Sequence, residues 1–479
     1  MFDTPPPRVP LGLRRLLLAA ALCLSGTAQS KPPAAAVLCA TYPTAPTCVG
    51  RQPACTHCHA SPPQRNVFGT SLEPYLAPGA ARPLSDGDFA AALPAALRAV
   101  EAEDADGDGA TNLDELLRGT LPADPTSVPE APVGCGGAGS NPGYDVCGHD
   151  ARFTYRRVLL DFCGQSPTYA QLQEFTALSA DARLARLDSE LDRCTRSEFW
   201  RGKDGQLWKL AHPKIRPVGS VKAGENAGPI PLADYDDDYA LYSYAQLDEH
   251  DAREVMTARY YVRRETNPTR YTQVASLPSQ SVVESRRAGN LTSAWSLVTF
   301  VMFTALPRNA AAQSYRAYLG LDIALQEGLH SVPGEPRDYD AKGVREPACA
   351  ACHATLDPLS YPFRNYQGIA GATSATYVPN RLELFFSDVS PTITQTPEAG
   401  YLFGQPVKDL QEWARVGADS DAFAVAAVTD YWKLLVGHPP TAEENAEFVA
   451  LWQRFKGEHR YSVQRLLHDL IRTEAYGAP

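Results

Sequence analysis

Cys55-Thr56-His57-Cys58-His59 and Cys349-Ala350-Ala351-Cys352-His353 share one spacing: two cysteines three positions apart, with a histidine directly after the second. The spacing suits covalent attachment of haem. The thiols add across two vinyl groups of the porphyrin and the imidazole turns onto the iron as proximal ligand. Two haem c groups are therefore expected, tethered by Cys55, Cys58, Cys349 and Cys352 and ligated by His59 and His353. The same residues can also offer three zinc ligands or close a local disulfide. A closed zinc site wants four grouped ligands, yet after His59 no cysteine or histidine recurs before Cys135, so haem is the reading adopted.

Such attachment follows export, and the N-terminus agrees. Arg8, Arg14 and Arg15 precede the apolar run Leu16 to Leu24, then Gly26-Thr27-Ala28 offers a cleavage site, the pattern of a secretory signal over residues 1–28. The run is short of the roughly 20 residues that span a bilayer, and Cys23 follows Leu22 where lipid attachment wants a small residue. A periplasmic or secreted chain of a Gram-negative bacterium is expected. Without Cys23 and the four tethering cysteines, six remain, and proximity pairs Cys39 with Cys48, Cys135 with Cys147 and Cys163 with Cys194, one of fifteen connectivities.

The formal charge of the 479 residues is −11; removing the net +2 of Asp3, Arg8, Arg14 and Arg15 leaves −13. That sign argues against nucleic acid and favours a redox partner such as a small basic cytochrome, although acidity also serves solubility. No segment of the mature chain is long and apolar enough to cross a membrane.

The composition and periodicity predict a mainly α protein with few short strands. A small haem module with a calcium loop occupies 29–128, followed by a linker over 129–150 closed by Cys135 and Cys147. A helical domain over 151–228 carries Val158, Leu159 and Phe162 on one turn. Residues 229–285 read as a solvated insertion around Asp234 to Tyr239, then a hairpin through Tyr260, Val262, Tyr271 and Val274. The second haem domain is placed at 286–372, a linker at 373–400 and a C-terminal helical domain at 401–479. There a capping box of Thr441 and Glu444 opens a helix with Phe448, Leu451, Trp452 and Phe455 inward, ended by Gly457. A last helix carries Val463, Leu466, Leu467, Leu470 and Ile471 on one face.

Asp104 to Glu115 fits the twelve-residue EF-hand loop: Asp104, Asp106 and Asp108 offer carboxylates, Ala110 its carbonyl, Asn112 a contact often made through water, and Glu115 a bidentate carboxylate. Gly109 permits the turn. An entering helix over Leu97 to Glu103 and an exiting one over Leu113 to Arg118 flank it, and Ca2+ bound here reads as a structural staple. The rival is a metal-free Asp-rich turn.

Cys349 to Tyr366, with Asp357-Pro358-Leu359 behind the haem motif and Pro362-Phe363 beyond, resembles the planctomycete-type cytochrome c domains of unknown function. Arg287-Ala288-Gly289-Asn290-Leu291-Thr292 looks like that family's Arg-x-Gly-x-Leu-Thr opening, and Leu435-Val436-Gly437-His438-Pro439-Pro440-Thr441 is similar to its C-terminal segment, with His438 where arginine is usual. Leu160 to Thr168 more weakly resembles an element of related proteins. The resemblance spans about two thirds of the chain and implies a secreted multi-haem protein; it supplies no reaction.

The sixth ligand is the open question, since a closed iron transfers electrons while an open one binds small molecules. Between His59 and His149 there is neither histidine nor methionine, leaving Asn66, or a cap from His149, His212, His250 or His330, for the first haem. Met302 is the candidate for the second, with Met256 and His330 as rivals and core filling as the alternative. An exported dihaem cytochrome c is expected; the alternative is a haem enzyme of peroxidase or oxygenase type with one open iron, and a calcium-stapled structural protein is a third reading. No hydrolase triad or phosphate-binding loop appears.

Overall fold

The structure is a computed structural model and describes residues 33–48, 53–129, 149–217, 234–370 and 373–478. The expected signal segment and the Cys135–Cys147 pair lie outside them. The described residues are mainly helical, and their strands form four two-stranded antiparallel hairpins. No helix among them is long and apolar enough to cross a membrane.

The chain divides into two compact units, the first holding residues 53–115 and 121–128. Its elements are β1 (His59–Ser61), β2 (Gln64–Arg65), α1 (Val67–Ser71), α2 (Asp86–Ala99) and α3 (Asn112–Arg118), whose last turn already belongs to the larger unit. The helix entering the acidic loop begins well before Leu97. Ser85 caps it by accepting the Asp88 amide, and Pro94 is accommodated inside it. The exiting helix ends at Gly119, whose φ of +81° suits glycine.

The second unit, which includes residues 129–479, packs around one large core from Tyr155 to Tyr476, with smaller clusters around Tyr361 and Leu382 and around Leu241 and Val262. The boundaries read at 228, 285, 372 and 400 fall inside it. α4 (Ala151–Cys163) buries Tyr155, Val158, Leu159 and Phe162, and Asp150 caps it by accepting two amides. The disulfide Cys163–Cys194 ties it to α5 (Ala180–Cys194), as proximity predicts, and Cys39–Cys48 is likewise formed.

The acidic, tyrosine-rich segment is not a solvated insertion. It forms α6 (Asp236–Ala245), with Asp238, Tyr239, Leu241 and Tyr242 buried. The tyrosines carry enough apolar area to outweigh the acidic flank: Tyr239 stacks on Trp208 at 4.5 Å and Tyr235 meets Trp295 edge-on. The expected hairpin follows as β3 (Tyr261–Glu265) and β4 (Arg270–Val274), with Val262 opposite Gln273. Further on come α7 (Arg308–Leu319), α8 (Pro347–Ser360), the hairpin β5 (Tyr366–Ala370) and β6 (Thr373–Tyr377), and the hairpin β7 (Gly400–Leu402) and β8 (Gln405–Val407).

Within 373–400 the chain is anchored at Arg381, which is fully buried and donates to the carbonyls of Thr304, Ala305 and Arg364 and to Gln367. Near the C-terminus the helix starts at Asn445, because Ala442 to Glu444 make a turn. Only half of the capping box forms, the Thr441 amide on Glu444. Phe448, Leu451 and Phe455 are buried and Gly457 ends the helix; the last face of Val463, Leu466, Leu467, Leu470 and Ile471 is buried in full.

The Cys163–Cys194 bridge spans 31 residues of sequence, so closing that loop restricts the unfolded chain by about 3–4 kcal/mol. Replacing both cysteines by alanine should lower unfolding free energy in urea by that order; an unchanged midpoint would remove the bridge as a stabiliser.

Candidate functional site

The second motif rides on α8. Pro347 sits in its first turn, where a missing N–H costs nothing. Helical spacing then puts Cys349, Cys352, His353 and Asp357 on one side. Cys349 is exposed, Cys352 and His353 are half-buried, and Asp357 is 1% exposed, so the helix runs from solvent into the core.

Asp357 fixes the histidine. His353 donates from Nδ1 to Asp357 Oδ1 at 2.8 Å, which leaves Nε2 uncommitted. A carboxylate on the far ring nitrogen orients a ligating imidazole and raises its basicity. Arg308, the first residue of α7, grips the same carboxylate through Nε and Nη2 at 2.6 and 2.9 Å and Asp340 at 2.6 and 3.0 Å. Burial works against its charge, but the hydrogen bonds to Asp357 and Asp340 outweigh it and hold the guanidinium protonated.

Pro358 shapes the next contact. Having no N–H, it cannot bond the carbonyl of Ala354 four residues back. The amide of Val332 takes that carbonyl at 3.1 Å and pins the irregular segment after α7 to the helix one residue beyond His353. Cys352 Sγ faces the Ile323 carbonyl of the same segment at 4.0 Å.

The first motif has a different backbone. Cys55–His57 is a 3-10 turn leading into β1. Asn66 is not a free ligand: Nδ2 donates to the carbonyls of Thr56 and His57, Oδ1 accepts the Gly69 amide, and its own amide bonds Cys58. Gly69 lies so close to the Cys58 carbonyl that a Cβ would sit 2.0 Å from it. Burial and then the Cys55 thiol push Cys58 up to about 11. His59 makes no hydrogen bond and its Nδ1 is buried. His57 is buried, with Nδ1 on the Ala54 carbonyl and burial lowering its pKa.

Met302 ends a π turn at φ +49°, its amide on the Leu297 carbonyl and its own carbonyl accepting Ile369 N–H. No hydrogen bond links it to α8. Met256 is fully buried in the core against Gly417, which accounts for it as packing.

In the acidic loop, carboxylate oxygens of Asp104, Asp106 and Asp108 lie within 4.8 Å of one another. Asp104 accepts the amides of Gly107 and Gly109, Asp106 that of Asp108, and Asp108 that of Ala110. Asp106 Oδ2 and Asp108 Oδ2 are buried and accept nothing. Burial and then the charges of Asp108 and Asp104 raise the Asp106 pKa. Glu115 is fully buried in the first turn of α3. Asn112 departs from the expected ligand role, since Nδ2 donates to Val100 and Oδ1 accepts Ala105 N–H, stapling the loop ends.

The chain matches no family model, no curated protein and no solved structure. Over Arg287 to Thr292 the segment is tightly held: Thr292 Oγ1 accepts from Arg287 and the Ala288 amide, and a Cβ on Gly289 would strike the Val255 carbonyl. Arg308 and Asp340 escape sequence reading, because nothing local marks a guanidinium 49 positions ahead of Asp357 as its partner, or a second carboxylate 32 positions past Arg308 as sharing it.

Arg308→Met should cost about 3–5 kcal/mol in denaturant unfolding, since it leaves two buried carboxylates without their cation. Arg316→Ala, at an exposed pair with Asp322, should cost less than about 1 kcal/mol. Equal losses would show that the buried cluster carries no special weight.

Proposed function

We propose that the chain is an exported dihaem cytochrome c that transfers electrons outside the cytoplasm, tethered through Cys55, Cys58, Cys349 and Cys352 and ligated by His59 and His353. The observation that carries the reading is which cysteines are free. Among the described residues Cys39, Cys48, Cys163 and Cys194 are bridged, and the four unbridged thiols are those of the two Cys-x-x-Cys-His motifs. An oxidising compartment would pair such thiols unless something else consumed them.

The histidines supply the second support. Each motif offers an imidazole nitrogen that no protein group occupies, Nε2 on His353 and the whole ring on His59. Haem, when bound, supplies a one-electron couple; the chain holds it, orients its axial ligand and, at His353, presses a carboxylate against that ligand. The net charge of −11 suits a basic donor or acceptor, a small cytochrome being the class expected. The enzyme reading retains one support: the unit holding the first motif contains no methionine among residues 53–128 and no histidine besides His57 and His59.

Haem counting tests the proposal. The mature chain from a host that assembles cytochromes c should show two haems by pyridine haemochrome, and Cys349→Ala/Cys352→Ala one. Absence of covalent haem in the parent would end the reading.

We further propose that the acidic loop binds Ca2+ through Asp104, Asp106, Asp108, the Ala110 carbonyl and Glu115, neutralising carboxylates that now crowd one another. Calcium at about 100-fold its dissociation constant would stabilise the folded chain by about 2.7 kcal/mol. Chelation should lower the melting temperature, and Glu115→Gln should remove the response; a melt indifferent to calcium would refute the site.

A further inference from the structure

Of the ten histidines in the chain, His59 and His330 alone make neither a hydrogen bond nor an ion pair. His149, His212, His459 and His468 are hydrogen-bonded by neighbours, His250 stacks on Tyr244 and faces Glu254, and His438 bonds the Pro439 carbonyl. His353 is held by Asp357 and His57 by Ala54. His59 belongs to a tether. His330 therefore stands out as an idle, half-buried imidazole, and its partial burial lowers its pKa and favours the neutral ring.

Its position is set by α8. Pro358 frees the Ala354 carbonyl, Val332 N–H takes it, and His330 lies two residues before Val332, at most about 7 Å of chain reach. His353 directly precedes Ala354. The segment carrying His330 is pinned a second time where Tyr315 Oη donates to the Gly328 carbonyl at 2.8 Å. On its other side the ring meets Phe403 edge-on, 5.9 Å between centroids, at the turn of the β7–β8 hairpin. With no protein group engaging it, the ring keeps a nitrogen lone pair open to a metal.

We infer that His330 is the distal axial ligand of the haem tethered at Cys349 and Cys352. The inference rests on the dihaem reading above. It makes the second iron a closed, two-imidazole centre suited to electron transfer, and it leaves Met302 as no ligand, its backbone carbonyl bonded to β5.

Electron paramagnetic resonance and absorption spectra of the full chain, with and without carbon monoxide, test it in a Cys55→Ala/Cys58→Ala background that retains the second haem alone. The parent is expected to be low-spin and indifferent to carbon monoxide. His330→Ala should turn that iron high-spin and reactive to carbon monoxide, and added imidazole should restore the low-spin spectrum. His330→Met, which keeps a sixth ligand where the alanine variant fails to mature, should stay low-spin, gain a sulfur-to-iron charge-transfer band and rise in potential. Met302→Leu should match the parent. A His330→Ala spectrum identical to the parent, or a Met302→Leu spectrum that turns high-spin, overturns the assignment while leaving the dihaem reading intact. A parent without haem at Cys349 and Cys352 overturns both.

Discussion

One guanidinium shared by two buried carboxylates organises the larger unit. Arg308 holds Asp357 and Asp340 with two hydrogen bonds each, and Asp357 in turn takes the Nδ1 proton of His353. Leaving any member unpaired would strand a charge away from water, at several kcal/mol. The arrangement therefore admits one rotation of α8 about its axis and one register against α7. It sets which ring nitrogen of His353 stays available, so a packing constraint and the imidazole's tautomer are the same fact.

Pro358 adds a second constraint to the same helix. Proline inside a helix removes a hydrogen bond and strands a carbonyl, and the stranded group here lies one residue beyond His353. The Val332 amide fills that demand from an irregular segment. Gly400 then approaches the Pro358 carbonyl so closely that a Cβ would meet it at 2.3 Å, which seats the β7 strand against α8. The Asp-Pro pair thus does two jobs in adjacent residues, the first polar and inward, the second backbone and outward.

The sequence made the periodic elements legible because their signal is local. The stripe Tyr155, Val158, Leu159, Phe162 and the final face from Val463 to Ile471 are buried as their spacing requires, and the alternation at Tyr261–Glu265 did become a strand. What failed was any judgement that needed a distant partner. Asp236 to Asp238 look solvated until Ser293 and Asn290, more than fifty residues away, are seen bonding Asp238. Thr441 looks like a helix cap until a turn over Ala442 to Glu444 delays the helix to Asn445. At the site the same division holds: the Cys-x-x-Cys-His spacings are local and legible, whereas Arg308, Asp340 and the Val332 contact come from elsewhere in the chain.

The two motifs also show how little of the backbone their spacing dictates. Offsets of three and four residues bring side chains together on an α-helix, and an offset of three does so on a 3-10 turn; both forms occur, at Pro347–Ser360 and at Cys55–His57. What differs is who secures the motif. On α8 the side chains of Asp357 and Arg308 hold it, and on the turn it is Asn66, which spends its whole amide on the carbonyls of Thr56 and His57 and the amide of Gly69. Asn66 cannot serve at once as that clamp and as a ligand, and the closeness of Gly69 to the Cys58 carbonyl leaves no slack for it to move. The asymmetry follows: a carboxylate presses on His353 and a bare ring is left at His59, so one repeated pentapeptide yields two unlike sites.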